Sequence, residues 1–424
     1  MRVSLLKEKN FGLLMWGKLV SLVGTQMQNF ALSLYVFKIT GSASKFATVL
    51  MVTIIPQLIL GPMAGVFVDW LDRKKIIVYL DMVNGILIGI YAILFYINGE
   101  LSLGSIYIFA ILLSLISVLF QPAISTVIPS IVKKEELVEA NSINSLIMNI
   151  GNLISPMIAG ALFGVYGLFT ILVINSISFI LSSISEMFID IPKVNKKPEV
   201  INITSFNKDF KEGIMFIKNS KILFSVICIA VLVNFGGAPL SIGLIYISKS
   251  VLKISDMQYG MLETFATSAM IISPFLCSFI GKKFEFNKVL FGGLLSIGFF
   301  IALMSIIPYE PYLNLFDSSL VPYISLIIAE FVLVMAMGVV NISISIMFQQ
   351  IVPLDMMGRV GTVMNTGCMA SMPLAQLIFG LLYDNISTTI CVLISAIIII
   401  ITMMVFKKSL LATSLKEKET ISLA

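Results

Sequence analysis

Histidine is missing altogether from these 424 residues, cysteine occurs four times, and charged side chains make up only 12% of the chain. Without an imidazole there can be no Ser/His or Cys/His catalysis, no HExxH zinc site and no histidine proton relay. Any proton carrier has to be a carboxylate or a lysine. Cys228, Cys277, Cys368 and Cys391 lie singly inside apolar stretches with no CxxC spacing, which argues against a disulfide framework or a metal knuckle and makes them packing residues. The charge content is about half that of soluble domains. No metal or cofactor is expected, and no enzymatic chemistry.

What is present instead is hydrophobic, 58% of the chain, far more than one globular core can hide. A bilayer is the fitting solvent, and each crossing takes about 20 apolar residues. Apolar runs bounded by charges or turn residues fall at 11–37, 45–70, 76–97, 102–132, 141–164 and 168–191, and again at 221–248, 257–281, 288–308, 321–351, 359–383 and 387–406. We expect an all-α integral membrane protein with twelve transmembrane helices in two six-helix halves, residues 1–191 and 221–406. A lysine-rich cytoplasmic linker, 192–220, joins them and contains a weakly amphipathic stretch from Phe206 to Ile217; a cytoplasmic tail, 407–424, follows. With the N-terminus inside and the sides alternating, the cytoplasmic segments collect all of the 28 lysines and arginines except Lys18, Lys38, Lys45, Lys249 and Lys253. One missed helix would scramble that bias, so both termini are expected in the cytoplasm, with the chain in the cell membrane. No cleavable leader is evident, because the first span carries Lys18, Gln26, Gln28 and Asn29 and no small-residue cleavage pattern follows. Pro62 and Pro274, and Pro156 and Pro373, occupy comparable places in the two halves, in keeping with a duplicated unit.

Two stretches carry more than hydrophobicity. At the inner end of the second span stands Gly61-Pro62-Met63-Ala64-Gly65, followed by Asp69, Asp72, Arg73, Lys74 and Lys75: a carboxylate at a helix end, then three cations in a short loop. This charge cluster is an anchor at the membrane face, or a set of pairs that can rearrange between two conformations. In the fifth span Gly151, Ser155, Pro156, Ala159, Gly160 and Gly164 allow close helix approach and a kink. The first stretch resembles the signature loop of the major facilitator superfamily between its second and third helices, with Gly65, Asp69, Arg73 and Lys74 in place, Trp70 where arginine is usual and Asp72 where glycine is. The resemblance implies that Asp69 docks near Gly358 and Arg359 and steadies an outward-open state. The second resembles the superfamily's antiporter motif, which implies export, with Gly151, Pro156 and Gly160 as gating positions. The stretches from Gln121 to Asn141 and from Gln349 to Pro373 look like the drug-efflux branch that includes macrolide and siderophore exporters. That branch often has an acid in its first helix after Leu-x-Gly, where this chain has Gly24-Thr25-Gln26.

A charge inside the bilayer costs about 2.5–3.5 kcal/mol or more. Glu330 and Glu263 lie deep in the tenth and eighth spans; Met337, Asn341 and Ser345 share a helix face with Glu330, and Thr267 and Met270 with Glu263. Both acids are candidate proton acceptors facing a cavity, the alternative being a structural pair with a lysine or a backbone group. Glu186, Asp190 and Lys18 read as side chains that snorkel to an interface. Gln26, Asn29 and Asn234 are further polar groups at depth, and with Met337 and Asn341 they form the expected substrate contacts. The near phosphate loop Gly12 to Leu19 has leucine where Ser or Thr is required and no strand before it, so no nucleotide is expected. The expectation is a monomeric secondary transporter exporting a hydrophobic or amphipathic small molecule by proton antiport, with no nucleic-acid partner. Uptake or uniport of a metabolite, and a non-transporting membrane sensor or scaffold, stay open.

Overall fold

The computed structural model describes residues 3–69, 72–192, 203–354 and 356–411. Every described element is helical: α1 (Lys9–Thr40), α2 (Ala43–Asp69), α3 (Arg73–Asn98), α4 (Leu103–Ile131), α5 (Leu137–Met187), α6 (Ile203–Asn219), α7 (Lys221–Tyr246), α8 (Asp256–Gly281), α9 (Phe286–Met304), the short α10 (Glu310–Leu313), α11 (Leu320–Ile351), α12 (Met357–Asn385) and α13 (Thr388–Leu411). Ten helices among the described residues are long and apolar enough to cross a membrane, not twelve. Two features account for the difference. The element Lys134–Met187 is counted once at 54 residues, yet its backbone breaks at Gly167 (φ 72°, ψ −170°), a conformation open to glycine, which divides α5 into arms 137–166 and 168–187. The 32-residue α1 is long enough but carries the polar load of Lys18, Gln26, Gln28 and Asn29.

The helix ends follow from local chemistry. Ser102 and Ser220 accept the amides of Ser105 and Leu223 at the starts of α4 and α7, as N-caps do. Asp72, standing where the signature loop usually has glycine, caps α3 by accepting from the Lys74 and Lys75 amides. At Asn98-Gly99, Gly99 turns left-handed (φ 76°) and closes α3, as a glycine C-cap does.

Two compact units emerge: one of Met1–Gly41, Val49–Ile201 and Ser255–Thr264, the other of Ser42–Thr48, Asn202–Ile254 and Phe265–Ala424. In the first, α1 packs along both arms of α5, and α3 packs on the second arm. In the second, α7 and α9 pack with α11, α12 and α13. Hydrophobicity does not drive helices together in lipid, so close packing of small residues has to. In the first unit a Cβ on Gly160 would lie 2.6 Å from the Asp256 carbonyl oxygen, and one on Gly260 would strike the Pro156 carbonyl. In this way α5 and the start of α8 cross backbone to backbone.

The faces are inside-out relative to a soluble protein. On α3 the outward residues are Tyr79, Val83, Ile86, Ile90, Ile93 and Ile97, while Asp81, Asn84 and Gly85 are buried. An apolar outer face over a polar inner one is what a lipid environment selects. The linker stretch is a 17-residue helix, α6, more regular than the weak amphipathicity expected of it. Ile217 in its last turn is buried with Leu223, Val352 and Val360, and Gly213 lies close enough to α12 that a Cβ there would be 2.9 Å from the Arg359 carbonyl oxygen.

Candidate functional site

In the first unit a polar seam runs between α1 and α5. The Lys18 ammonium donates to Asn144 Oδ1 at 2.7 Å, the Gln26 amide to Asn152 Oδ1 at 2.5 Å, and the Asn175 amide to Gln28 Oε1 at 2.9 Å. Asn29 reaches Gln26 Oε1 at 3.4 Å and is itself exposed. Gly24 makes room for the seam, since a Cβ there would collide with Asn175. Gln26 and Asn29 therefore do lie together. Lys18, expected to snorkel, instead spends its donor on an asparagine across the helix pair.

Glu263 is half-buried in α8 and accepts from the Tyr259 hydroxyl at 3.0 Å. Tyr259 stacks on Phe30 of α1, ring centroids 5.2 Å apart. In the second unit Glu330 is buried, 8% exposed, on the side of α11 away from its outward residues Leu320, Val321, Ile324 and Ile328. Along its face exposure grows toward the C-terminal end: Met337 is half-buried, Asn341 and Ser345 exposed. Met337 reaches α7, with its Cε 3.6 Å from where a Cβ on Gly237 would sit. Asn234 on α7 turns its amide back to the Ala230 carbonyl.

Among the gating positions, Gly65 and Asp69 fall in the last turns of α2, where side chains lie outside the described residues, so Asp69's docking is not described. Arg73 and Lys74 stand in the first turn of α3. Arg359 pairs with Glu212 of α6 at 2.8 Å, a partner the sequence did not suggest. Gly151 receives Leu22 of α1, whose Cδ2 would sit 2.6 Å from a Cβ there.

Three acids have surroundings that the sequence reading did not foresee. Asp384, in the last turn of α12, accepts from Ser42 Oγ (2.7 Å), the Ala43 amide (2.7 Å), the Ser44 amide (3.1 Å) and Ser44 Oγ (2.5 Å), capping α2 from another helix. Asp81 is fully buried on α3. Glu186, expected to snorkel, is 3% exposed near the end of the second arm of α5, because its helix presses against α3 there. A largely apolar hollow of about 510 Å³ at the head of α1, lined by Leu6, Leu13, Trp16 and Phe188 among others, lies just past Glu186 along the chain and has none of these three acids in its lining.

Long apolar helices with buried acids and a polar seam describe a transporter, and the comparisons agree. A family model of the major facilitator type, described as a transmembrane secretion effector, matches residues 2–423. The chain belongs to this major facilitator family. It is 22% identical to macrolide efflux protein A of Streptococcus pyogenes over 392 residues, 91% of this chain and 92% of that protein. Among solved structures it resembles a bacterial homologue of the iron transporter ferroportin in an inward-facing state (TM-score 0.73, 17% identity, 94% of this chain and 98% of that one). It also resembles the nucleoside transporter NupG (TM-score 0.74, 13% identity, 94% and 98%). These likenesses show the fold alone. The chain is thus a multi-pass membrane transporter of the major facilitator superfamily with a small-molecule substrate, and not an enzyme.

Proposed function

We propose that this transporter exports a hydrophobic or amphipathic small molecule, of the size and character of a macrolide, by proton antiport with alternating access. The similarity to macrolide efflux protein A along nine-tenths of both chains supports export. For the coupling, the observation that carries the reading is Glu330, a carboxylate buried far inside a membrane-length helix and turned from its outward face. Neutralising such a group removes a cost of about 2.5–3.5 kcal/mol, and each proton moving inward yields about 2.3 kcal/mol per 100 mV. The two are of one size, so a single protonation suffices to shift a two-state equilibrium by roughly 40-fold. Glu263, tied to Tyr259, is the second acceptor. Gln26, Asn29, Asn234, Met337 and Asn341 contact substrate, and Gly65, Asp69, Arg73, Lys74, Gly151, Pro156 and Gly160 shape the moving contacts. The halves are 1–191 and 221–406, joined by the linker 192–220, with the tail 407–424. The protein works as a monomer in the plasma membrane with both termini in the cytoplasm.

The test is efflux of radiolabelled erythromycin from proteoliposomes with and without an imposed pH gradient. Glu330→Gln together with Glu263→Gln abolishes gradient-driven efflux. Undiminished efflux in that double variant removes both acids from the mechanism.

A further inference from the structure

The acids Asp81 and Glu186 belong to neither the expected proton acceptors nor the expected substrate contacts. Their helices run antiparallel: Ser176 Oγ donates to the Gly85 carbonyl at 2.7 Å and Ser183 Oγ to the Val78 carbonyl at 2.8 Å. Those two bonds set Val78 level with Ser183. Helical side chains lean toward their own N-terminus, so Asp81 leans down from above that level and Glu186 leans up from below it. On this register the two carboxyls are directed toward the same level between α3 and the second arm of α5.

Around them is a concentration of unmet acceptors. Both oxygens of Asp81, Oε2 of Glu186 and Oδ1 of Asn84, one turn along α3, find no donor among the described residues. Independently, the Ser182 hydroxyl, 1% exposed, faces the Asp81 carboxyl without closing a hydrogen bond to any described group. Among the described residues no cation pairs with them. The Lys18 ammonium of α1 goes to Asn144, Lys7 and Lys9 line the hollow beside Phe188, and α4 carries no charged residue from Leu103 to Ile131. The cations of α3 stand in its first turn, near the level of Glu186, with Lys75 exposed and Arg73 and Lys74 half-buried, and Glu186 Oε2 accepts from none of them. On α5 and just beyond it, the remaining charges are Glu139, in the opposite end of the helix, and exposed Asp190. Buried polar groups are normally paired, and two carboxylates side by side out of water cannot both stay ionised. The missing partner has to be positive and small.

We infer that Asp81 and Glu186, flanked by Ser182 and Asn84, form a binding site for one exchangeable proton between α3 and the second arm of α5. With the proton bound, the hydroxyl of one carboxyl donates to the other. On release the O–H bond breaks, the proton passes to water, and two carboxylates remain that only hydration can support, so release requires α3 and α5 to part. The site deepens the proton-antiport reading above and rests on it for its role in transport, but the binding of the proton can be read without transport.

The full chain in lipid nanodiscs is followed by infrared difference spectroscopy as the pH is raised. A protonated-carboxyl stretch is lost in the wild type, and Asp81→Asn combined with Glu186→Gln removes that component. These substitutions keep side-chain volume and take away like charges, and Glu186→Gln alone serves as the second variant, expected to leave a single-carboxyl titration. A band unchanged in both variants overturns the inference, as does one displaced by sodium chloride at constant pH, which identifies an alkali-ion site instead. In proteoliposomes the double variant keeps erythromycin exchange but loses pH-driven accumulation by at least about tenfold; wild-type accumulation overturns the inference while leaving Glu330 and Glu263 untouched. If the wild type itself shows no pH-driven transport, the antiport reading falls and the infrared result alone decides the site.

Discussion

Removing the carboxylate of Asp384 should loosen the start of a helix about 340 residues away in sequence. The first amides of a helix have no partner within it. In α2 the Ala43 and Ser44 amides are both taken by Asp384, while the Lys45 amide goes to Ser42 Oγ at 3.3 Å. The approach is possible because Gly380, one turn before Asp384, lets α12 touch α2: a Cβ there would lie 2.6 Å from the Ala47 Cβ and 2.9 Å from the Ser44 Cα. An N-cap contributes about 1 kcal/mol. The two serine hydroxyl bonds add about another 1 kcal/mol, discounted because Asp384 is exposed to screening. Asp384→Ala should therefore favour local opening by about 2 kcal/mol, which speeds hydrogen exchange of the Ala43 and Ser44 amides by roughly 30-fold. Asp384→Asn keeps one acceptor and should give roughly 5-fold. Mass spectrometry of a peptide spanning 42–48 reads both. Exchange at the wild-type rate in Asp384→Ala would refute the claim that this carboxylate holds the helix end.

The α5–α8 crossing makes a paired prediction. Gly160→Ala places a methyl group against a carbonyl that cannot move aside, costing about 1–3 kcal/mol, whereas Gly164→Ala meets the Asp256 side chain at ordinary contact distance, 3.6 Å to its Cβ and 4.0 Å to its Oδ2; thermal unfolding followed with a thiol-reactive dye should separate the two, and equal midpoints would contradict the packing. Glu212→Gln breaks an ion pair whose side chains are 38–39% exposed, so global stability should move by less than about 1 kcal/mol, while exchange in 210–219 rises. In the native protein, buried Cys277 and Cys391 should react with maleimide more slowly than half-buried Cys228 and Cys368.

Composition alone carried the membrane reading, because nothing but lipid accommodates so many outward apolar residues, and α3 with its isoleucine face bears this out. The boundary between the expected spans 141–164 and 168–191 was legible, and Gly167 at positive φ stands at it inside α5. Less legible was α1, whose polar residues at depth keep it from reading as a span by apolarity alone. Lys18 and Gln26 were visible as polar groups at depth, but their partners Asn144 and Asn152 are 126 residues away, and no local pattern names a partner at that distance. Asp81 is a different case. Asp81, Asn84, Gly85, Ile88 and Ala92 recur at helical spacing opposite Val83, Ile86, Ile90 and Ile93, and that small and polar stripe was a readable sign of a buried face.

The contrast between Asp384 and Asp81 shows what low dielectric demands of a carboxylate. Asp384 sits at a helix end, where unpaired amides are plentiful, and it is surrounded by four donors. Asp81 sits within a helix whose amides are already used by its own backbone, so a donor could come only from a neighbouring side chain. The neighbours supplied are another acid, an amide oxygen and a hydroxyl that closes no bond. Were the pair there only to hold α3 against α5, an asparagine and a glutamine would serve at lower cost, as Asn175 and Gln28 do on the adjoining seam at 2.9 Å. Two acids in that position make sense when something positive comes and goes, and under the proposed proton antiport the proton is the particle small enough to enter and leave so tight a space.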